Sequence, residues 1–424
     1  TTLEGPTIMA NEANSGNGGG IYTNGTLVFS TNVSTIGGTG KTSSINKAIN
    51  GAGIYMAGGA VTFNVAPIIH YNTATGNGGG LALVNGTLNV PVATTIDNNT
   101  AANGGGLAMT GGTLSVTTTD SFSLSTNTAN ANGGGLYYTD GNIPNNANAS
   151  IFLSKNTAIK GGGIYCQIAT AGNKTINNIT KVDHNKTSAS TKGYCGAGIY
   201  YKGYSDDDTT TFSSAILIDS NTGPSCGGGI FVEANPLKFE NTVNITRNKT
   251  AAITTATQDT SGGAGVYVYR NASLYFTGGD VTIDGNNTSG HGGGIYNLGG
   301  TITCTGGDMT ISNDTTRRST TVYLYYGKGG GIYDTLNGTI TIGAEGNARN
   351  LTISNNLSET GGGLQLAGNA TVRCWGNMLI YGDTVAAYGG GVFSTGGTID
   401  TKGTFTIDSC GAKLYGGGLC NFSN

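Results

Sequence analysis

Charge is scarce in this chain: 10% of its 424 residues are Asp, Glu, Lys or Arg, and the net charge is only −3. Nothing basic is clustered, so a nucleic-acid partner is not expected. No apolar run reaches the roughly 18 residues a membrane-spanning helix needs, and no stretch shows helical apolar spacing. There are 6 prolines, 3 histidines and 1 tryptophan. Seven cysteines are few for a disulfide-built scaffold. Phosphate-cradling loops and the nine-residue calcium repeat of toxin-type β-rolls are missing, and no cofactor and no enzymatic activity are expected. The chain opens Thr1-Thr2-Leu3-Glu4 without a signal peptide, which reads as a mature or excised segment.

What abounds is glycine, 76 residues, beside 46 asparagines. The glycines recur in a motif followed by an aliphatic and usually an aromatic residue, as in Gly18-Gly19-Gly20-Ile21-Tyr22, Gly161-Gly162-Gly163-Ile164-Tyr165 and Gly292-Gly293-Gly294-Ile295-Tyr296. Eleven more copies begin at 51, 78, 104, 133, 196, 227, 263, 329, 361, 389 and 416, three of them with Ala in the middle. Copies lie 26 to 37 residues apart. A period of that size running end to end marks one repeated supersecondary unit, so residues 1–424 read as a single solenoid domain.

Residues 104 to 132 illustrate the unit. Gly104-Gly105-Gly106-Leu107-Ala108-Met109 makes a short strand, and Thr110-Gly111-Gly112 a turn. Thr113–Thr117 and Ser121–Ser125 then alternate apolar and polar residues. Three short strands per coil predict an all-β, right-handed parallel β-helix of about fourteen coils. The residue after the glycines points inward. The aromatic that follows it in ten copies (among them Tyr22, Tyr137, Tyr267, Tyr333 and Phe393) faces outward and forms a column of rings.

A second column closes the third strand, as in Ile96-Asp97-Asn98-Asn99 and Val182-Asp183-His184-Asn185. Asn99, Asn127, Asn156, Asn185, Asn221 and Asn248 share one offset, as do Asn11, Asn72, Asn286 and Asn356. Asn tolerates the left-handed backbone region and bonds its equivalents above and below, which predicts a structural ladder at a corner. The neighbouring Asp97, Asp183, Asp219, Asp284 and Asp408 read as outward surface decoration.

These two signatures resemble the repeats of chlamydial polymorphic outer membrane proteins, written GGA-I/L/V and FxxN. The resemblance spans nearly the whole chain, although this chain has Gly-Gly-Gly or Gly-Ala-Gly for Gly-Gly-Ala and mostly Ile, Val or Leu for Phe. It implies a surface-exposed, β-helical passenger domain implicated in adhesion. The C-terminal membrane barrel of that family is missing from residues 416–424, so autotransporter export is not expected.

The remaining candidates are weaker. Gly290-His291-Gly292 superficially matches an element of polygalacturonases, but His291 occupies the slot where other copies have Asn17, Asn77 or Asn103. Asp206-Asp207-Asp208 supplies hard oxygen ligands of the kind calcium takes, and a solvated loop is the plainer reading. Cys195 and Cys226 precede the glycines of consecutive copies, so they are expected to stack and form a disulfide. Cys410 and Cys420 are candidates for a second bridge, Cys166 for a core residue, and Cys304 and Cys374 for non-adjacent coils. Longer insertions fall near 31–50, 142–150, 170–181, 202–211, 251–262 and 313–328; in the last of these Tyr323, Tyr325 and Tyr326 suggest a contact surface, against the reading of an ordinary strand.

Nineteen Asn-X-Ser/Thr sequons suggest an exported, N-glycosylated protein. Asn24, Asn85, Asn271, Asn337 and Asn369 fall in the turn after the first strand and are expected to carry glycans. Asn185, Asn248 and Asn286, in sequons on the ladder, are expected to be buried and bare. The expectation is an extracellular or cell-surface structural or adhesive glycoprotein whose partners are itself or other cell-surface or glycan partners. With neither end capped, head-to-tail growth into a filament is the specific form. The rivals are a β-helical polysaccharide lyase or hydrolase and a carbohydrate-binding protein using the ring column.

Overall fold

A computed structural model describes residues 1–40, 44–188, 195–251, 261–316 and 327–422. The fold is a parallel β-solenoid of about 14 turns, without a helix among the described residues. Two compact units make it up: Thr1–Ser188 with Ala197–Ile199 and Phe212–Ser214, and Ala189–Gly196 with Tyr200–Thr211 and Ala215–Asn424.

In the first unit one coil runs through strands Leu81–Leu83, Thr87–Val90, Thr94–Asp97 and Thr100–Asn103. The last of these follows the ladder asparagine and adds a short fourth strand to the three legible in the repeat. Pairing with the next coil is parallel and in register, Leu81 with Leu107, Leu88 with Leu114, Ile96 with Leu124 and Ala101 with Ala129. Like residues therefore stack on like. Leu81, Leu83, Leu88, Val90 and Ile96 are fully buried, and each contributes about 1.5–3 kcal/mol by leaving water.

The second unit repeats the scheme. Its strands Ile295–Leu298, Thr301–Cys304, Met309–Ser312 and Thr315–Thr316 make one coil. Ile295 pairs with Val266 and Ile332, and Ile302 with Leu274 and Ile340, so one aliphatic stack runs through successive coils.

The glycine motif has a distinct task at each position. Gly104 adopts φ 63°, the left-handed region that L side chains avoid. A Cβ on Gly106 would fall 2.7 Å from the Asn127 amide nitrogen. The third glycine thus makes room for the ladder side chain of its own coil.

Candidate functional site

The ladder is continuous within each unit. Asn46 donates to Asn72 (3.0 Å), Asn72 to Asn99 (2.9 Å), Asn99 to Asn127 and Asn127 to Asn156 (3.2 Å each), and Asn156 to Asn185 (3.0 Å). In the second unit Asn221 donates to Asn248 (2.9 Å) and Asn248 to Asn286 (3.0 Å). All of these residues are fully buried. The amide nitrogens of Asn46, Asn72, Asn99, Asn127, Asn156, Asn185, Asn248 and Asn286 also reach a backbone carbonyl of the coil before, as Asn127 reaches Ile96 (2.9 Å).

Three details differ from the sequence reading. The left-handed residue is the one before the ladder position (Asn98, Thr126, Lys155, His184, Ser220, Arg247) and not the asparagine itself. Asn46 belongs to the column. So do two acids, Asp314 and Asp383, which accept from Asn286 and Asn356 at 2.9 Å. The repeat hides the acids because Asp has the shape of Asn. Both are fully buried, and their second carboxyl oxygens have no hydrogen-bond partner. Burial pushes the Asp383 carboxyl up to about 7, against the hydrogen bonds from Asn356. Burial raises Asp314 well above the usual range, against hydrogen bonds from Asn286 and with help from Asp284.

Asn24, Asn85, Asn271, Asn337 and Asn369 are exposed, while the sequon asparagines on the ladder, Asn185, Asn248 and Asn286, are fully buried. A disulfide joins Cys195 to Cys226, with Cα atoms 4.7 Å apart. Cys410 and Cys420 are free thiols. They do not bridge because Cys410 takes the ladder slot after Asp383, its sulfur against the carbonyls of Asp408 and Ile380, whereas Cys420 pairs with Phe393 in the first strand. Cys166 is a fully buried thiol, and Cys304 and Cys374 are separated by Ile342 in the register.

The Asp residues beside the ladder are not all surface decoration. Asp183 and Asp219 are 5% and 4% exposed. Arg247 binds Asp219 through Nε (2.9 Å) and Nη2 (2.7 Å), and Thr246 adds its hydroxyl (2.7 Å). Burial opposes the charge on Asp219, but these bonds outweigh it and hold the carboxyl below the usual range. His291 is buried on the edges of Tyr296 and Tyr333, where its Nδ1 accepts the Lys328 amide N–H (3.3 Å). In the acidic run, Asp208 accepts from Ser205 and Asp206 from Asn235 (2.8 Å each). No group of three His, Cys, Asp or Glu among the described residues is placed to hold a metal. Tyr323, Tyr325 and Tyr326 lie outside the described residues.

The ring column is more enclosed than alternation suggested. Tyr22 is 55% exposed, but Tyr267 and Tyr296 are only 1% exposed and Tyr333 5%. Neighbouring rings cover one another: Tyr267 to Tyr296 is 4.7 Å between centroids and Tyr296 to Tyr333 is 5.1 Å. The column then breaks. The register runs Tyr296, Tyr333, Gln365, Phe393, so an amide stands where a ring is due. A groove of about 550 Å³ opens at that position. Tyr333, Gln365 and Phe393 line it together with Lys328, Glu359 and Tyr388. The sequence reading passed over this groove, although the missing aromatic after Gly361-Gly362-Gly363-Leu364 was a visible signal.

Two stretches, 150–167 and 280–298, match the model described as the Chlamydia polymorphic membrane protein repeat. One lies in each unit. No curated protein and no solved structure matches the chain.

Proposed function

We propose that this chain is a structural or adhesive β-helical glycoprotein of the cell surface. One observation carries the reading. Each matched stretch spans the half-coil that holds a ladder asparagine, Asn156 or Asn286, and the glycine motif after it. Repeats of this kind suggest a surface or outer-membrane β-helical protein. The exposed sequon turns add to it, since they offer glycans a place that costs no packing. The best-placed acids, Asp183 and Asp219, are already engaged by Lys181 and His184 or by Arg247, which favours a scaffold over a hydrolase or lyase. Backbone pairing that joins coil to coil would also join coils of two copies, so a head-to-tail filament is one form of this reading.

The test uses protein from its source. Antibody labelling of intact cells should reach it, and glycopeptide mapping should find Asn24, Asn85, Asn271, Asn337 and Asn369 modified and Asn185, Asn248 and Asn286 bare. A protein hidden from antibody on intact cells would overturn the surface assignment. Modified ladder asparagines beside bare turns would overturn the assignment of faces.

A further inference from the structure

We propose that the groove at Gln365 is a saccharide-binding site that takes a neutral pyranose ring between Tyr333 and Phe393. The inference rests on the adhesive reading above and names its ligand class.

The first argument is register. Rings in this column stack at about one coil spacing, as Tyr296 and Tyr333 do at 5.1 Å. From Tyr333 to Phe393 there are two coil steps, roughly 10 Å in all, and the residue between them is not a ring. The ring stack is therefore interrupted for one coil, at Gln365. The cavity of about 550 Å³ lies within the range of about 300–1,000 Å³ usual for small-molecule sites.

The second argument is a donor at the groove. Gln365 is 3% exposed. Its Oε1 accepts the Thr360 hydroxyl at 2.7 Å, which leaves the amide nitrogen to hydrogen-bond whatever fills the groove that Gln365 lines. A guest that displaces the water there must offer that N–H an acceptor or leave it unsatisfied. Because Gln365 lines the groove, a guest there is the natural source of that acceptor.

The third argument is the mixture of surfaces. Phe393 packs on Phe422 and Tyr388, so one wall is a cluster of rings, with centroid separations of 5.6 and 5.9 Å. A pyranose offers an apolar C–H face to such rings and a rim of hydroxyls that both donate and accept. Gln365 donates, the Glu359 carboxylate accepts, and Thr395 does both. A purely apolar guest would leave the Gln365 donor unmet. Lys328 and Glu359 balance in charge, which favours a neutral ligand over a phosphate or an acidic peptide.

The full 424-residue chain is tested by saturation-transfer NMR against lactose, cellobiose, maltose and N-acetyllactosamine, and against a panel of apolar hexapeptides. The informative variant is Gln365→Phe, which restores the ring column; Tyr22→Ala, an exposed ring of the other unit, is the control. At least one disaccharide should bind the wild type. Gln365→Phe should weaken that binding at least 10-fold while melting at the same or a higher temperature, and Tyr22→Ala should leave it unchanged. No saccharide bound by the wild type, binding retained in Gln365→Phe, or binding of peptides alone would each overturn the site. Adhesion of the chain to cells that survives both Gln365→Phe and enzymatic deglycosylation of those cells would overturn the groove and leave the adhesive reading standing. Saccharide binding by a chain that adheres to no cell would do the reverse.

Discussion

At Asp314 and Asp383 the ladder carries a carboxylic acid where other rungs carry an amide. A Cβ on Gly294 would lie 2.5 Å from Oδ2 of Asp314, and one on Gly363 2.5 Å from Oδ2 of Asp383. These oxygens take the place that the amide nitrogens of Asn99 and Asn127 hold against Gly80 and Gly106. A protonated acid can donate as the amide does, and an ionised one cannot. With folded pKa values raised above the unfolded value of 3.8, the native state binds the extra protons. Their stabilisation is complete below that unfolded value and is lost as pH rises through about 7 at Asp383. Asp284 faces Asp314, and Cys410 with Asp408 lies beside Asp383. The buried Asp334 is raised as well, and adds to the same slope. Asp183 and Asp219, held low, act only at more acidic pH. Urea unfolding between pH 4 and 8 should therefore show stability falling with pH, by on the order of 1.4 kcal/mol per unit for each proton fully released. The double variant Asp314→Asn, Asp383→Asn should flatten much of that slope and gain stability above pH 7. An unchanged slope would show that neither acid holds its proton.

At the scale of the element, the first glycine of each motif sets the corner. Gly104→Ala must force an L side chain into φ 63°, with its Cβ 2.5 Å from the Leu107 carbonyl oxygen. It should cost about 1–3 kcal/mol. Gly105→Ala also sets its Cβ 2.6 Å from the Thr128 carbonyl oxygen, but without a left-handed backbone, and Ala52, Ala197 and Ala264 fill the same slot in other coils, so it should cost less. Chemical denaturation of the two variants checks the order, and equal losses would refute it. The repeat made these corners readable, since spacing alone placed the glycines and the Asn99-type ladder. Exposure was not readable in the same way: Tyr267 alternates with core residues as Tyr22 does, but stacking buries one ring and leaves the other in water. The acids and Asn46 are not legible in the repeat, because hydrogen bonding defines the ladder whereas residue type defines the repeat. Gln365 was legible as a gap, but its meaning needed the register that places it between two rings.

For the molecule, each coil pairs only with the coil before and the coil after, so a coil is a removable part. Deleting residues 78–103 joins Asn77 to Gly104 and brings Leu107 onto Ile54, the contact Leu81 now makes. The shortened chain should keep its β-sheet circular dichroism and a cooperative unfolding transition. Deleting residues 78–90 removes two of four strands from one coil and should abolish that transition. If both deletions behave alike, the coil is not the unit of stability.

The Cys195–Cys226 bridge takes on another meaning for a protein under tension. Pulled from its ends, a stack of coils yields one loop at a time, each released loop paying out on the order of 100 Å of slack at about 3.4 Å per residue. The bridge spans 31 residues of sequence, and that length cannot pay out while the sulfurs are joined. A pulling force would lengthen the chain on either side of this clasp and leave the span within it closed, so a reducing environment would change its reach as well as its stability.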